Sequence, residues 1–109
     1  MAVRRALQEG ERLVLATLVL YEWLRGPRLP EELAAQEALF PARMAIPFGV
    51  EESTRAAALY RTVPRARGRE IDLAIAACAI TWDARLWTLN VDDFRDIPGL
   101  LVAHPHGAT

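Results

Sequence analysis

A chain of 109 residues is long enough for one domain with a single hydrophobic core. Its 52% hydrophobic and 25% charged content excludes a disordered chain, and a net charge of −1 excludes a global pull toward nucleic acid or membrane, so any such pull is local. A single cysteine, Cys78, excludes an internal disulfide and a cysteine zinc cluster.

Residues 2–9 read as the end of a helix, with Val3, Ala6 and Leu7 on one face and Gly10 as its stop. Residues 13–16 form a short apolar strand of the kind buried on both faces in a parallel sheet. Thr17 is placed to cap a helix over 18–24 that carries Glu22 and ends at Arg25-Gly26-Pro27. Pro30 opens the next helix, with Glu31 and Glu32 in its first turn, and Pro41 closes it. Residues 44–48 are extended, and Pro47 argues against a central strand. A helix over 51–63 aligns Ala56, Leu59, Tyr60 and Val63 on one face. A basic loop over 64–69 leads into a helix over 71–82, almost wholly apolar from Leu73 to Ile80 and therefore buried, with Cys78 as a small core residue. A turn over 83–85, a strand over 86–88, an acidic turn holding Asn90, Asp92 and Asp93, a turn over 97–99 and a last strand over 100–102 complete the chain before a polar tail. The alternation predicts an α/β sandwich around a mostly parallel sheet, in one domain spanning 1–109. No signal peptide is read, and the run over 13–21 is too short to span a bilayer, so the expected compartment is the cytoplasm.

In such a sheet, ligands bind beyond the carboxyl ends of the strands. Glu22 follows the first strand, Asp72 opens the buried helix, and Asn90, Asp92 and Asp93 follow the strand over 86–88, so all approach one rim. Clustered carboxylates repel one another unless a cation lies among them, and oxygen donors suit Mg²⁺ or Mn²⁺. Taken singly, Asp72 also reads as a helix cap, Glu22 as a solvated face and Asp92-Asp93 as an ordinary turn.

Three segments carry a family resemblance: Leu15-Ala16-Thr17-Leu18-Val19-Leu20-Tyr21-Glu22-Trp23-Leu24-Arg25-Gly26, Asp72-Leu73-Ala74-Ile75-Ala76-Ala77 and Thr88-Leu89-Asn90-Val91-Asp92-Asp93-Phe94, followed by Ile97-Pro98-Gly99-Leu100. In this order they resemble a PIN-domain ribonuclease, specifically the VapC-type toxin of a bacterial toxin–antitoxin pair. The resemblance implies a Rossmann-like α/β/α sandwich and divalent-metal-dependent endoribonuclease activity. It also implies a homodimer and an antitoxin partner that blocks the acidic rim, setting an Arg among its acids. It puts Glu22, Asp72 and Asp93 on the catalytic, metal-holding acids, with Thr88 and Asn90 in support and Asp92 as a neighbour only. The family's first strand bears a further Asp. No Asp precedes Glu22 here, so the expectation is an N-terminally incomplete copy that lacks this strand.

All 13 basic residues are Arg, a bias better attributed to genome composition than to phosphate binding. Arg65, Arg67 and Arg69 stand beside Asp72 and read either as contacts to RNA phosphates or as a solvated loop, with Arg61 beside them and Arg25 and Arg28 as weaker candidates. Trp23, Trp82 and Trp87 read as packing residues, and His104 and His106 as tail residues without a metal role. Two functional readings follow: a metal-dependent endoribonuclease, and a catalytically inactive remnant that only binds its protein partner.

Overall fold

The computed structural model of the chain describes residues 16–104. The expected helix over 2–9, residues 13–15 of the first strand and the tail with His106 lie outside the described residues. Four α-helices, two short strands and two 3₁₀ turns follow in order: α1 (Thr17–Leu24), α2 (Pro30–Leu39), a 3₁₀ turn (Ala42–Met44), α3 (Val50–Thr62), α4 (Glu70–Thr81), β1 (Arg85–Trp87), a 3₁₀ turn (Val91–Asp93) and β2 (Leu101–Ala103). No helix of the described residues is long and apolar enough to cross a membrane.

α4 is the centre of the molecule. Every residue from Leu73 to Ala79 is buried, as a helix apolar on all sides requires. Ala76 and Ala77 are wholly shielded from solvent, and small residues there let neighbouring elements approach closely. α3 packs against α4 most extensively, and α1 and β1 also lie on it. Leu59, Val63, Ala66, Leu73, Ala76, Ala77, Phe94 and Ile97 form one core cluster. Of the apolar face expected on α3, Leu59 and Val63 are buried and Ala56 packs at the margin. Tyr60 corrects that expectation: it is 43% exposed, because turning Leu59 toward α4 leaves its neighbour about 100° round the helix, at the edge.

β1 and β2 pair in parallel, with Arg85 opposite Leu101, Leu86 opposite Val102 and Trp87 opposite Ala103. Thr88 carries the ladder one step further, its N–H donating to the Ala103 carbonyl at 3.0 Å. Each strand lies one residue from its expected place, since the ladder partner sets the register. Together with the helices, this parallel pairing gives an α/β fold of the expected class. Ala16 makes an isolated parallel bridge to Ile46, and the Thr17 N–H donates to the Ile46 carbonyl at 2.9 Å. Thr17 is therefore the first residue of α1 and not its cap; Ala16, extended at φ −76°, ψ 145°, holds that position without a side-chain bond. Met44 closes a 3₁₀ turn where extended chain was expected, and Pro47 follows Ile46, the one residue of this segment bridged among the described residues.

α2 starts at Pro30 as read, with Glu32 accepting the Leu29 N–H at 2.8 Å. α4 ends in a Schellman turn. The Ala84 N–H donates to the Ala79 carbonyl at 2.8 Å and the Asp83 N–H to the Ile80 carbonyl at 3.1 Å, with Asp83 in the left-handed region at φ 52°.

Trp82 is half-exposed, but its indole N–H donates to Glu52 at 2.9 Å. Glu52 is a buried acid that no sequence signal marked, and its other oxygen accepts the Gly49 N–H at 3.1 Å. Its own backbone N–H, the indole and the Gly49 N–H together outweigh burial and hold its carboxyl below the usual carboxylate value. A group depressed in this way adds stability that is present above the unfolded value of 4.5 and lost as pH falls through the lower folded value. Trp82→Phe should therefore lower the thermal midpoint at pH 7, and the gap to wild type should narrow below pH 4.5. Thermal melts of both proteins between pH 3 and pH 7 check this; a gap that does not change with pH would remove the charge from the explanation. Cys78 is buried as expected, and burial, reinforced by the Glu52 charge, pushes its thiol up to about 11.

Candidate active site

The site is assembled where α4 begins. The loop over 64–69 is anchored by Ala66, whose side chain is buried in the core and whose carbonyl accepts the Arg69 N–H at 2.9 Å. Arg65 and Gly68 take positive φ, 56° and 88°, and so turn the chain back on itself. Arg69 then stands at the N-cap position of α4, its carbonyl accepting the Leu73 N–H at 2.9 Å. Asp72 is the third residue of the helix. Burial of Leu73 to Ala79 fixes this end of α4, so Asp72 is held at a defined place beside the helix's positive pole.

Asp93 arrives from the opposite side. It closes the 3₁₀ turn Val91–Asp93, its N–H donating to the Asn90 carbonyl at 3.0 Å. Phe94 and Ile97, both buried, pin the following residues to the core and leave the Asp93 side chain exposed at the rim. The two carboxylates come within electrostatic reach of each other. Burial raises the Asp72 carboxyl above its ordinary value, the Asp93 charge raises it further, and Arg69 opposes both.

Arg69 ties the halves together. Its guanidinium donates to both oxygens of Asp96, at 2.8 and 3.0 Å, to the Asp93 carbonyl at 2.8 Å and to the Pro64 carbonyl at 3.1 Å. The bonds to Asp96 raise the Arg69 pKa and hold the Asp96 carboxyl below its usual range. Of the three loop arginines, Arg69 is thus committed to contacts within the protein, while Arg65 and Arg67 are exposed. Asp96, like Glu52, was not singled out from sequence. The spacing Asp93-x-x-Asp96 is visible, but nothing in one sequence pairs its second member with a residue 27 positions earlier.

Thr88 and Asn90 shape the turn. The Thr88 hydroxyl accepts the Asn90 N–H at 3.1 Å, a local bond that fixes the exit from β1. Asn90 and Asp93 line an open depression of about 460 Å³ together with Asp92, Arg95 and His104. Asp92, 87% exposed, pairs with Arg95 at 3.2 Å.

Glu22 lies on α1, which packs on α4. Its carboxylate meets Arg25 at 3.8 Å, an exposed pair of small energetic weight. Among the described residues no group of three or more His, Cys, Asp or Glu side chains is gathered as a metal cage. The structure therefore brings Asp72 and Asp93 together and leaves Glu22 on the adjoining helix. Arg28 is engaged elsewhere, stacked 3.5 Å from the centre of the Trp23 ring and donating to the Trp23 carbonyl at 3.0 Å.

Two carboxylates within Coulomb reach, one raised in proton affinity by burial and by the charge of the other, form a hard oxygen donor set. Such a set fits Mg²⁺ or Mn²⁺, which take one or two carboxylates and retain waters. Compared with known proteins, the chain matches a family model described as PIN domain over residues 1–100. No curated protein matches it.

Proposed function

Because the chain belongs to the PIN-domain family, whose members are typically metal-dependent nucleases, we propose that it is a Mg²⁺- or Mn²⁺-dependent endoribonuclease. The observation that carries this reading is the pairing of Asp72 with Asp93 at the start of α4. These two carboxylates would hold the ion, with Glu22 contributing from α1. A divalent ion bound there supplies an activated water and neutralises charge on the phosphate. The other roles belong to the chain itself. Asn90 orients the phosphate side of the depression, and the Thr88 hydroxyl fixes the turn that presents Asn90. Arg65 and Arg67 engage RNA phosphates and set the strand against the acids. The reaction is hydrolysis of an RNA phosphodiester that leaves a 5′-phosphate.

The finer reading is a VapC-type toxin: a cytoplasmic homodimer whose cognate antitoxin places an Arg among these acids as a bidentate partner. A second reading is a remnant that binds its partner without cleaving RNA. The observation favouring it is that, among the described residues, Glu22 does not gather with Asp72 and Asp93 into a group of three acids.

Metal removal separates the two. RNA cleavage should stop when the protein is treated with EDTA and return when Mn²⁺ or Mg²⁺ is added in excess, read as product with a 5′-phosphate. Cleavage that persists in EDTA would overturn the metal-dependent reading. Failure to cleave any RNA with either metal, together with retained partner binding, would establish the remnant.

A further inference from the structure

We infer that Arg69 is a positioning residue that sets the separation of Asp72 and Asp93 and thereby the affinity of the pair for a divalent cation. The inference rests on the metal-site reading above. It is carried by where the guanidinium goes. One side chain makes four hydrogen bonds to three separate points: the Pro64 carbonyl in the loop before α4, the Asp93 carbonyl, and both oxygens of Asp96. Arg69 itself is the N-cap residue of α4, three positions before Asp72. It therefore joins the segment that carries one acid to the segment that carries the other. Among the described residues, the hydrogen bonds between the 64–69 loop and the 93–96 turn all come from Arg69.

Packing alone does not fix this distance. Phe94 and Ile97 anchor the turn, but they follow Asp93, and the Asp93 side chain is exposed. The bond to the Asp93 carbonyl is the contact by which the 64–69 loop reaches the acid's own backbone. It calls for a planar fork. An arginine can serve a carboxylate with two parallel N–H groups and still reach carbonyls with the rest, whereas a lysine ammonium is a point charge on a flexible stem.

Charge and position predict opposite results, which makes the inference testable. Arg69 is a cation within Coulomb reach of both acids, so its charge opposes the binding of a second cation. If charge were its only role, Arg69→Gln would tighten Mn²⁺ binding, and Arg69→Lys would leave it unchanged. If position is its role, both substitutions weaken binding, by about 10- to 100-fold, the range seen when groups that orient metal ligands are removed. The measurement is a Mn²⁺ titration of the whole chain, following the signal of free Mn²⁺ by electron paramagnetic resonance. Wild type, Arg69→Gln, Arg69→Lys and Asp72→Asn are compared, with circular dichroism as the control for folding.

Weaker binding by both Arg69 variants at native circular dichroism is the expected result. Equal or tighter binding by Arg69→Gln overturns the inference and leaves the metal site standing. Should Gln at 69 unfold the domain, Arg69→Lys decides, and unchanged affinity there overturns it. Unchanged Mn²⁺ binding by Asp72→Asn is a different failure. It removes the metal site, and the inference falls with it.

Discussion

On the proposed metal-site reading, Asp72→Asn is expected to lower RNA cleavage by at least about 100-fold, since loss of a ligand should cost no less than loss of the groups that orient ligands. The substitution keeps size and shape and removes only the charge. Its effect on stability should run the other way. The folded protein holds the Asp72 carboxyl above its ordinary value of 3.8, chiefly through burial and also through the Asp93 charge. A carboxyl raised in this way favours the fold while protonated, and that contribution is lost as pH rises through the folded value. At pH 7 Asp72 is therefore a net cost to the fold, despite its favourable place at the helix N-terminus. Asp72→Asn should melt at the same temperature as wild type or higher at pH 7, with the difference closing below pH 3.8. Lost activity joined to unchanged or improved stability is the mark of a residue kept for chemistry. Full activity in the Asn variant would remove Asp72 from the site, and a marked fall in melting temperature would show that its role is structural.

The largest loss of stability should come from the next residue. Leu73 is 1% exposed and sits in the cluster formed by Leu59, Val63, Phe94 and Ile97. Leu73→Ala removes buried methyl groups and leaves a cavity that the alanines Ala76 and Ala77, already wholly enclosed, cannot fill. The cost is about 2–5 kcal/mol, set against the roughly 5–15 kcal/mol that holds a domain of this size together. At roughly 4 °C per kcal/mol the melting temperature should fall by about 8–20 °C. Urea denaturation gives the free energy directly. Val50→Ala is the control: Val50 is 85% exposed, so the change should stay within about 0.5 kcal/mol. A Leu73 effect as small as that of Val50 would contradict the central placement of α4.

These adjacent residues show how a sequence divides into what can be read and what cannot. The burial of α4 was visible because Leu73 to Ile80 has no polar face to offer water; no tertiary information is needed to place such a helix inside. The starts and stops of α2 were equally plain, since Pro30 fits a first turn and Pro41 cannot continue a helix. Thr17 was misread for a local reason. It has a capping side chain in a capping position, but the strand-like bridge of Ala16 to Ile46 moved the cap one residue earlier.

The candidate site shows the same division. Asp72 and Asp93 were readable as acids that strand and helix deliver to one rim, and the structure places them within reach of each other. Arg69 was readable as one of several arginines beside Asp72. Its partner was not, because a charge alone does not say whether it will meet a phosphate, water or a carboxylate 27 residues away. Glu52 and Trp82, 30 positions apart, are a pair of the same kind.

The sequence alone thus determined helices α1 to α4 and the burial of α4, because these follow from apolar patterning and from the backbone limits of proline and glycine. Only the tertiary structure decided which charges meet. Asp72 lies within Coulomb reach of Asp93 and Arg69 binds Asp96, because the fold around α4 brings the 64–69 loop and the 93–96 turn side by side, and electrostatic roles depend on distance.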